Sequence, residues 1–240
     1  MIPAQKSAVF YRLFWIYLRW SLKRSFGSLR AHLPDTLRHC RGPLLMIGNH
    51  HTWWDGFFIL ALNELILKRT MYVMMTEEQM KRFMFLRRLG GFGVDHREGK
   101  DALSVFRYTT GLLENDPNAL VVIFPSGVMT PYGDTPSYKE GFARIAALVP
   151  GVQIVPCALK ATHIDGQYPD VFIRCGEPTN TQGMKSGDIF INSTQRLDSL
   201  IASQERLVLK KDFADYTVFF RGRAPVSERY AAVKEQVTPQ

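Results

Sequence analysis

Five short and almost uninterrupted apolar runs, separated by stretches of helical character, limit the folds that this chain can adopt. A strand that is open to water on one face alternates apolar and polar residues, so each continuous run indicates a strand covered on both faces. Strands that alternate with helices are typical of an α/β domain. The sequence therefore predicts an α/β fold with a mixed, largely buried sheet flanked by helices. The expected strands are PLLMIG (43–48), TMYVMM (70–75), ALVVIF (119–124), VQIVPCAL (152–159) and VFIRCGE (171–177), and the expected helices are 55–67, 77–89, 100–114, 139–148 and 193–210.

Three local signals refine this pattern. Pro156 lies inside the fourth run, and because proline cannot donate a ladder hydrogen bond, we expect an edge position or a bulge there. Asn192 or Ser193 is the expected cap of the last helix. The stretch TNTQGMKSGD, residues 179–188, is interpreted as a surface loop.

The chain is long enough for one large domain. It has 240 residues, of which 46% are hydrophobic, and no Pro/Gly/Ser-rich linker divides it. Charge is distributed less evenly: residues 1–41 contain eight Lys or Arg and one acid, and so carry +7 of the net +8. We therefore expect a basic, amphipathic membrane-interface segment over 1–41 and the main domain over 42–240. A polyanionic partner is indicated, whether nucleic acid, an acidic membrane surface or an anionic substrate.

The basic segment has the pattern of an interfacial helix. Residues 8–30, AVFYRLFWIYLRWSLKRSFGSLR, lack the run of about 18 uncharged apolar residues that a spanning helix needs. On a helical wheel the basic residues Arg12, Arg19, Lys23 and Arg30 fall within about 20° of one line, and most of the remaining circumference is apolar. This pattern favours a helix lying among anionic headgroups. The alternative is a helix docked on its own domain with its arginines solvated. The expected membrane-contact residues are Phe14, Trp15, Arg19, Trp20 and Lys23.

Other partners and compartments are less compatible with the sequence. No helix-turn-helix, finger or RNA-recognition signature is present, so we expect no nucleic-acid partner. The three cysteines, Cys40, Cys157 and Cys175, have no CxxC spacing, which argues against a disulfide framework and a zinc knuckle. No cleavable signal peptide is recognisable. The expected location is therefore peripheral, on the cytoplasmic face of the cytoplasmic membrane.

The stretch NHHTWWD, residues 49–55, carries the clearest chemical signal. An imidazole titrates near neutral pH, so His50 or His51 suits a general base. A carboxylate five residues after His50 reaches the imidazole if the chain turns into a helix between them, and it then fixes the tautomer. No G-x-S-x-G elbow is present, so an activated hydroxyl would belong to the substrate. A structural histidine at a strand end is the alternative.

Four blocks in this order together resemble the glycerolipid acyltransferase family, the lysophosphatidic acid acyltransferase-like group. NHHTWWD matches its N-H-x-x-x-x-D motif, and GFGVDHR (91–97) resembles its G-x-x-F-x-x-R block, with Val94 in place of the aromatic residue. VIFPSG (122–127) is similar to its F-P-E-G block, and YKEGFARIAALVPGVQIVPCAL (138–159) to its Lys-x-Gly helix and following strand. The resemblance spans about residues 43–180 and implies a glycerol-3-phosphate acyltransferase-like fold, with 42–240 as the acyltransferase domain.

The resemblance also implies roles for individual residues. His50 would deprotonate an acceptor hydroxyl and Asp55 would orient it, and the alkoxide would attack acyl-CoA or acyl-acyl carrier protein without a covalent enzyme intermediate. These thioesters are co-substrates, and no cofactor or metal is implied. His51 falls at an unconstrained motif position and is interpreted as structural. The expected substrate-binding residues are Asn49, Arg97, Ser126, Gly127 and Lys139.

One departure from the family pattern leaves the acceptor open. Where the family has glutamate and arginine around the third block, this chain has Ser126 and Met129. Methionine cannot pair with a phosphate, and serine offers one neutral hydrogen bond. The acceptor is therefore either lysophosphatidic acid-like or a lipid or glycolipid alcohol without phosphate. Two other hypotheses remain: a non-catalytic lipid-binding protein that keeps the fold, and a hydrolase or metalloenzyme using His50, His51, Asp55 and His96. Acyl-chain length and oligomeric state cannot be inferred from the sequence.

Overall fold

A mixed β-sheet with helices on both faces forms the centre of the molecule. The structure, a computed structural model, describes residues 1–95, 102–131 and 136–223. Its α-helices are α1 (Ala8–Ser25), α2 (Asp35–Arg38), α3 (Asp55–Leu62), α4 (Glu77–Arg82), α5 (Ala102–Asn115), α6 (Gly141–Leu148) and α7 (Ser186–Leu209), with a π-helical turn at Asn63–Leu67 and a 3-10 helix at Met84–Leu89. Its strands are β1 (Ser28–His32), β2 (Leu44–Gly48), β3 (Thr70–Thr76), β4 (Gly91–Val94), β5 (Ala119–Ile123), β6 (Gln153–Thr162), β7 (Asp170–Cys175), β8 (Thr179–Asn180) and β9 (Thr217–Arg221).

The strand order is β4-β3-β5-β2-β6-β7-β1-β9, and β8 pairs with β6 beside this path. Strands β4, β3, β5, β2 and β6 are mutually parallel, whereas β7 is antiparallel to β6 and β9 is antiparallel to β1. Because the carboxyl ends of parallel strands meet at one edge, the loops after β2, β3, β4 and β5 converge there. This edge is where ligands bind in open α/β sheets.

Both faces of the sheet are buried, as the continuous apolar runs predict. In β2, Leu44 and Met46 belong to one core cluster, together with residues of α1 and α3. Leu45 and Ile47 point the other way, into a second cluster with residues of α5, α6 and α7. The alternation of neighbouring residues between the two clusters follows from the two-residue period of a strand. The predicted mixed, largely buried sheet flanked by helices is confirmed.

The N-terminal segment differs from its prediction. The helix expected over 8–30 ends at Ser25, after which Phe26 becomes extended and buries its ring against Trp54 and Phe58. The chain then enters β1, which lies in the same sheet between β7 and β9. A division of the chain after residue 41 would separate β1 from its own sheet, so this strand is part of the main domain.

Two predicted helices have other bounds. The helix expected over 77–89 is interrupted at Phe83, where α4 gives way to the 3-10 helix. The helix expected from residue 193 begins at Ser186 with Lys185 at its N-cap, so neither Asn192 nor Ser193 caps it. Half of the loop expected over 179–188 is therefore taken up by β8 and the first turn of α7.

Pro156 lies in a central strand, which corrects the expectation of an edge position. It is in register with Ile47 of β2, and on its other side β8 pairs with residues 153–154 and β7 with residues 157–162. Pro156 therefore lies where one neighbouring strand stops and the next begins. Its carbonyl accepts a hydrogen bond from Gly176 N–H at 2.8 Å. The missing proline N–H costs no ladder bond because it falls in this gap.

Candidate active site

The carboxyl end of β2 leads directly into the predicted catalytic motif. Gly48 closes the strand, residues 49–54 form a tight loop, and Asp55 opens α3. Thr52 and Asp55 have the spacing of a capping box, and one half of its reciprocal contact is present: Asp55 accepts from the Thr52 N–H at 2.9 Å, while the Thr52 hydroxyl accepts from Trp54 N–H at 3.2 Å. The loop is thus folded by the same polar side chains that build the site.

Asp55 is a fully buried carboxylate with a complete set of donors. Its side chain is 0% exposed. Oδ2 accepts from His50 Nδ1 at 2.9 Å, His51 N–H at 2.8 Å and Thr52 N–H at 2.9 Å. Oδ1 accepts from the Thr52 hydroxyl at 2.8 Å. A buried charge is tolerated only when it is hydrogen-bonded in this way, and the same bonds fix its position.

His50 is held on two sides. Nδ1 donates to Asp55, so Nε2 is the ring nitrogen left for a ligand. The imidazole also stacks on Phe124, with ring centroids 4.4 Å apart and an interplanar angle of 19°. Its side chain is 23% exposed and lines the cavity described below. The structure therefore brings together the predicted His50 and Asp55 pair in a geometry suited to a general base.

His51 faces away from the cavity and contacts β6. Its Nε2 accepts from Ala161 N–H at 3.2 Å, which requires Nε2 to be unprotonated, and Nδ1 lies 3.6 Å from Asp55 Oδ1. Burial lowers the pKa of His51, and the charges of His50 and Lys160 lower it further, against the opposing effect of Asp55. A neutral His51 that links Asp55 to β6 agrees with the structural role inferred for it.

Asn49 does not lie on the cavity wall. Its amide donates to the Leu159 carbonyl at 2.9 Å, and its side-chain oxygen accepts from Leu159 N–H at 2.8 Å. Both polar groups of the side chain therefore bind the backbone of β6. Through these two hydrogen bonds Asn49 holds the catalytic loop on the sheet.

A cavity of about 660 Å³ opens beside His50. This volume lies within the range of small-molecule sites, about 300–1,000 Å³. Its wall is mainly apolar, formed by α3, the ends of β3, β4 and β5, the 3-10 helix, and faces of α5 and α6. The polar side chains among the described lining residues are His50, Thr76, Glu78, Gln79, Asp95 and Lys139. A mainly apolar wall that includes one imidazole suits a substrate with a long hydrocarbon chain.

The turn after β5 contributes Gly127 to the cavity but not Ser126, and Lys139 joins Gly127 from the segment just before α6. The Ser126 hydroxyl is buried and donates to the Val128 carbonyl at 2.7 Å, so it closes the turn. Gly127 has φ of +69°, and its N–H donates to the Phe124 carbonyl at 2.9 Å. A Cβ on Gly127 would lie 2.9 Å from Lys139 Nζ. Because Gly127 has no side chain, this part of the wall has space for the Lys139 ammonium.

The expected membrane-contact residues divide between two faces of α1. Phe14 and Trp15 pack against the core cluster under the helix, so they are not on its outer face. Trp20 is 56% exposed, and Arg19 and Lys23 are exposed as well. The outer face also presents an apolar row that the wheel did not single out: Val9, Leu13, Ile16 and Tyr17, at 71%, 62%, 67% and 57% exposed.

Some predicted residues lie outside the described part of the chain, and others were missed. Arg97 and His96 are among residues 96–101, which the structure does not describe. Among the described residues no group of three or more His, Cys, Asp and Glu could hold a metal ion. Sequence reasoning missed Phe124 and Thr52. The T-x-x-D spacing was a usable signal for Thr52, whereas Phe124 was noted only as part of the VIFPSG block, and no local pattern paired it with His50, which lies 74 positions earlier in the sequence.

Comparisons with known proteins identify a family and a shared fold. The family model described as Acyltransferase matches residues 28–160, from β1 into β6. Among solved structures, the crystal structure of the 1-acyl-sn-glycerophosphate (LPA) acyltransferase PlsC from Thermotoga maritima is similar, with a TM-score of 0.51 and 16% sequence identity over 80% of this chain and 78% of that one. At that identity the likeness shows a shared fold. No curated protein matches the chain.

Proposed function

The chain belongs to the acyltransferase family, and from this premise we propose that it is a membrane-associated O-acyltransferase using a thioester donor. The donor is acyl-CoA or acyl-acyl carrier protein, and the acceptor is the hydroxyl of a lipid. The observation that carries this proposal is the His50 Nδ1–Asp55 Oδ2 hydrogen bond of 2.9 Å at the wall of an apolar cavity of about 660 Å³.

In the proposed mechanism His50 is the general base and Asp55 orients it. Nε2 takes the proton of the acceptor hydroxyl, and the oxygen attacks the thioester carbonyl. The tetrahedral intermediate expels the thiolate, which takes the proton from the imidazolium, so the products are an ester and a free thiol. Asp55 stabilises the imidazolium and holds the tautomer with Nε2 unprotonated. A thioester is already activated, so proximity and one base supply much of the acceleration.

The position of α1 supports a membrane-bound enzyme. Its inner face packs on the core through Leu18 and Leu22, yet Val9, Leu13, Ile16 and Trp20 recur along its outer face at helical spacing, and all are more than half exposed. Basic side chains flank this row. No helix in the described residues is long and apolar enough to cross a membrane. We propose that this outer face lies in the headgroup region, on the cytoplasmic face of the cytoplasmic membrane.

A continuous series of aromatic rings supports delivery of a lipid from that surface to the cavity. Trp53 and Phe57 line the cavity, with ring centroids 4.9 Å apart. Phe57 lies 5.7 Å from Phe14, which lies 5.8 Å from Tyr17, and Tyr17 lies 6.2 Å from Trp20 on the outer face. A hydrocarbon chain that follows these rings avoids water, which would cost about 0.8 kcal/mol per exposed methylene.

Two acceptor classes remain in the proposal. Lys139 presents an ammonium that suits a phosphate, as in a lysophosphatidic acid-like acceptor. Ser126 turns its hydroxyl inward and Met129, 53% exposed, carries no charge, which favours a lipid or glycolipid alcohol without phosphate.

The test is a transfer assay with an unrestricted choice of acceptor. Purified protein is incubated with labelled palmitoyl-CoA, or palmitoyl-acyl carrier protein, and a host lipid extract, and products are identified by mass spectrometry. We expect ester formation and thiol release, with a loss of about 10²–10⁴-fold in His50→Ala because the general base is removed. His163→Ala is the matched control, since that exposed histidine lies outside the cavity. Unchanged transfer by His50→Ala would reject the mechanism, and vesicle binding without turnover by wild type would favour the non-catalytic alternative.

A further inference from the structure

We propose that Phe124 is a positioning residue for the general base: its ring fixes the plane of the His50 imidazole and so the direction of Nε2. This inference rests on the proposed function of His50. The ring centroids are 4.4 Å apart and the planes differ by 19°, which is a stacked contact.

The Asp55 hydrogen bond leaves the tilt of the imidazole plane partly free. It fixes Nδ1 at 2.9 Å from Oδ2, but coupled changes in χ1 and χ2 can still tilt the ring about the line that joins these two atoms. Such a rotation swings Nε2, which lies across the ring. A flat surface against one face of the imidazole removes this freedom. Hydrogen bond and stack together leave one orientation of the base, and a displacement of about 1 Å at a reacting group costs about 10²-fold in rate.

Phe124 is itself held firmly enough for this role. It directly follows β5, and its carbonyl accepts the Gly127 N–H at 2.9 Å, so the turn fixes its backbone. Its ring lies over Gly48, where a Cβ would be 3.5 Å from Phe124 Cε1 and 3.1 Å from the Cys157 carbonyl oxygen. The absence of a side chain at Gly48 leaves space for the ring beside the catalytic loop.

The alternative is that Phe124 only fills space in the cavity wall, which it also lines. An apolar side chain of similar volume would then serve equally well. A positioning role instead requires a flat, rigid ring. The two readings therefore differ for substitutions that keep the volume and remove the ring.

The experiment compares Phe124→Leu and Phe124→Tyr in the palmitoyl-CoA transfer assay. We expect kcat to fall about tenfold to 10²-fold in the leucine variant. The KM for palmitoyl-CoA is expected to stay close to wild type because the wall remains apolar. The tyrosine variant keeps the ring and most of the kcat. Phe213→Leu is the matched control: Phe213 contacts Phe172 with ring centroids 4.9 Å apart, outside the cavity, and its loss is expected to leave kcat unchanged.

A second measurement does not depend on activity. In proton NMR the His50 Nδ1–H, bonded to a buried carboxylate, gives a downfield resonance that is assigned by its loss in His50→Ala. We expect it to broaden or disappear in Phe124→Leu and to persist in Phe124→Tyr and Phe213→Leu. If the leucine variant does not fold, Phe124→Met fills a similar space without a ring and replaces it.

The outcomes separate this inference from the proposed function. Wild-type kcat and an unchanged resonance in folded Phe124→Leu or Phe124→Met overturn the positioning role. Failure of the wild-type protein to transfer any acyl group overturns the proposed function instead, and the resonance still decides whether Phe124 orients His50.

Discussion

His51 couples the catalytic loop to the sheet through a neutral imidazole. It accepts from Ala161 N–H with Nε2 and lies beside Asp55, and its side chain is 8% exposed. A proton on Nε2 would face the Ala161 N–H and remove this hydrogen bond. The loop that carries the base therefore depends on His51 staying uncharged.

This dependence predicts acid sensitivity of the fold. Burial lowers the pKa of His51 from its ordinary value of 6.5, so below pH 6.5 the unfolded chain takes up a proton that the folded chain does not. Stability is then lost as pH falls below 6.5, by at most about 1.4 kcal/mol per pH unit, until the folded-state pKa is reached. We expect His51→Gln, which keeps an acceptor but does not titrate, to show a smaller decrease in the free energy of unfolding. Urea unfolding at several pH values between 5.5 and 7.5 measures this decrease in the free energy of unfolding.

The control for this prediction is His163→Gln, at an exposed histidine. It is expected to keep the wild-type dependence on pH. Equal slopes for wild type and His51→Gln would show that His51 is not the group responsible.

Helix α1 is apolar on two faces, one buried on the domain and the other exposed. Leu18 and Leu22 are buried on the domain, whereas Val9, Leu13, Ile16 and Trp20 face outward. A helix that only docks on its domain needs one apolar face, and the second face has no partner within the described chain. This explains why the sequence shows a narrow basic stripe on a broad apolar body.

Leu13→Glu is expected to weaken binding to vesicles of anionic phospholipid at least tenfold without unfolding the protein. Leu13 is 62% exposed, so the carboxylate is solvated in the free protein but must enter an anionic headgroup region on binding. Sedimentation with sucrose-loaded vesicles measures the change. Leu209→Glu, at a leucine of α7 that is 73% exposed, is the matched control and should bind as wild type does. Equal binding by both variants would show that α1 does not contact the membrane.

The molecule as a whole is organised around one sheet that includes the N-terminal β1. Leu29 in β1 is 0% exposed and pairs with Val171 of β7, while the same strand pairs with β9 on its other edge. The first part of the chain therefore contributes an interior strand. It follows that residues 28–32 should unfold together with the acyltransferase domain.

Leu29→Ala is expected to lower the free energy of unfolding of the whole domain by about 2–5 kcal/mol, the usual cost of a cavity in a core. Urea unfolding followed by far-UV circular dichroism and by tryptophan fluorescence should give coincident transitions, both shifted. A main transition at its wild-type midpoint in Leu29→Ala would mean that β1 unfolds independently of the sheet.

The sequence by itself determined the features that depend on local order. Continuous apolar runs identified the five central strands, because burial on both faces leaves few polar positions in a strand. The spacing within NHHTWWD made His50 or His51 a candidate partner of Asp55, because a turn into a helix brings such positions into contact, and the resemblance to the acyltransferase family selected His50. The basic and apolar pattern of residues 8–30 predicted an interfacial helix, and the structure places a helix over Ala8–Ser25.

The tertiary structure alone decided what depends on distant partners. Phe124 reaches His50 because β5 lies beside β2, and Asn49 binds Leu159 because β6 lies on the other side. Pro156 is tolerated in a central strand because two other strands meet beside it. Phe14 and Trp15 are covered because α1 docks through that face. In each case the deciding contact joins segments that are far apart in the chain, so no local pattern of residues predicts it.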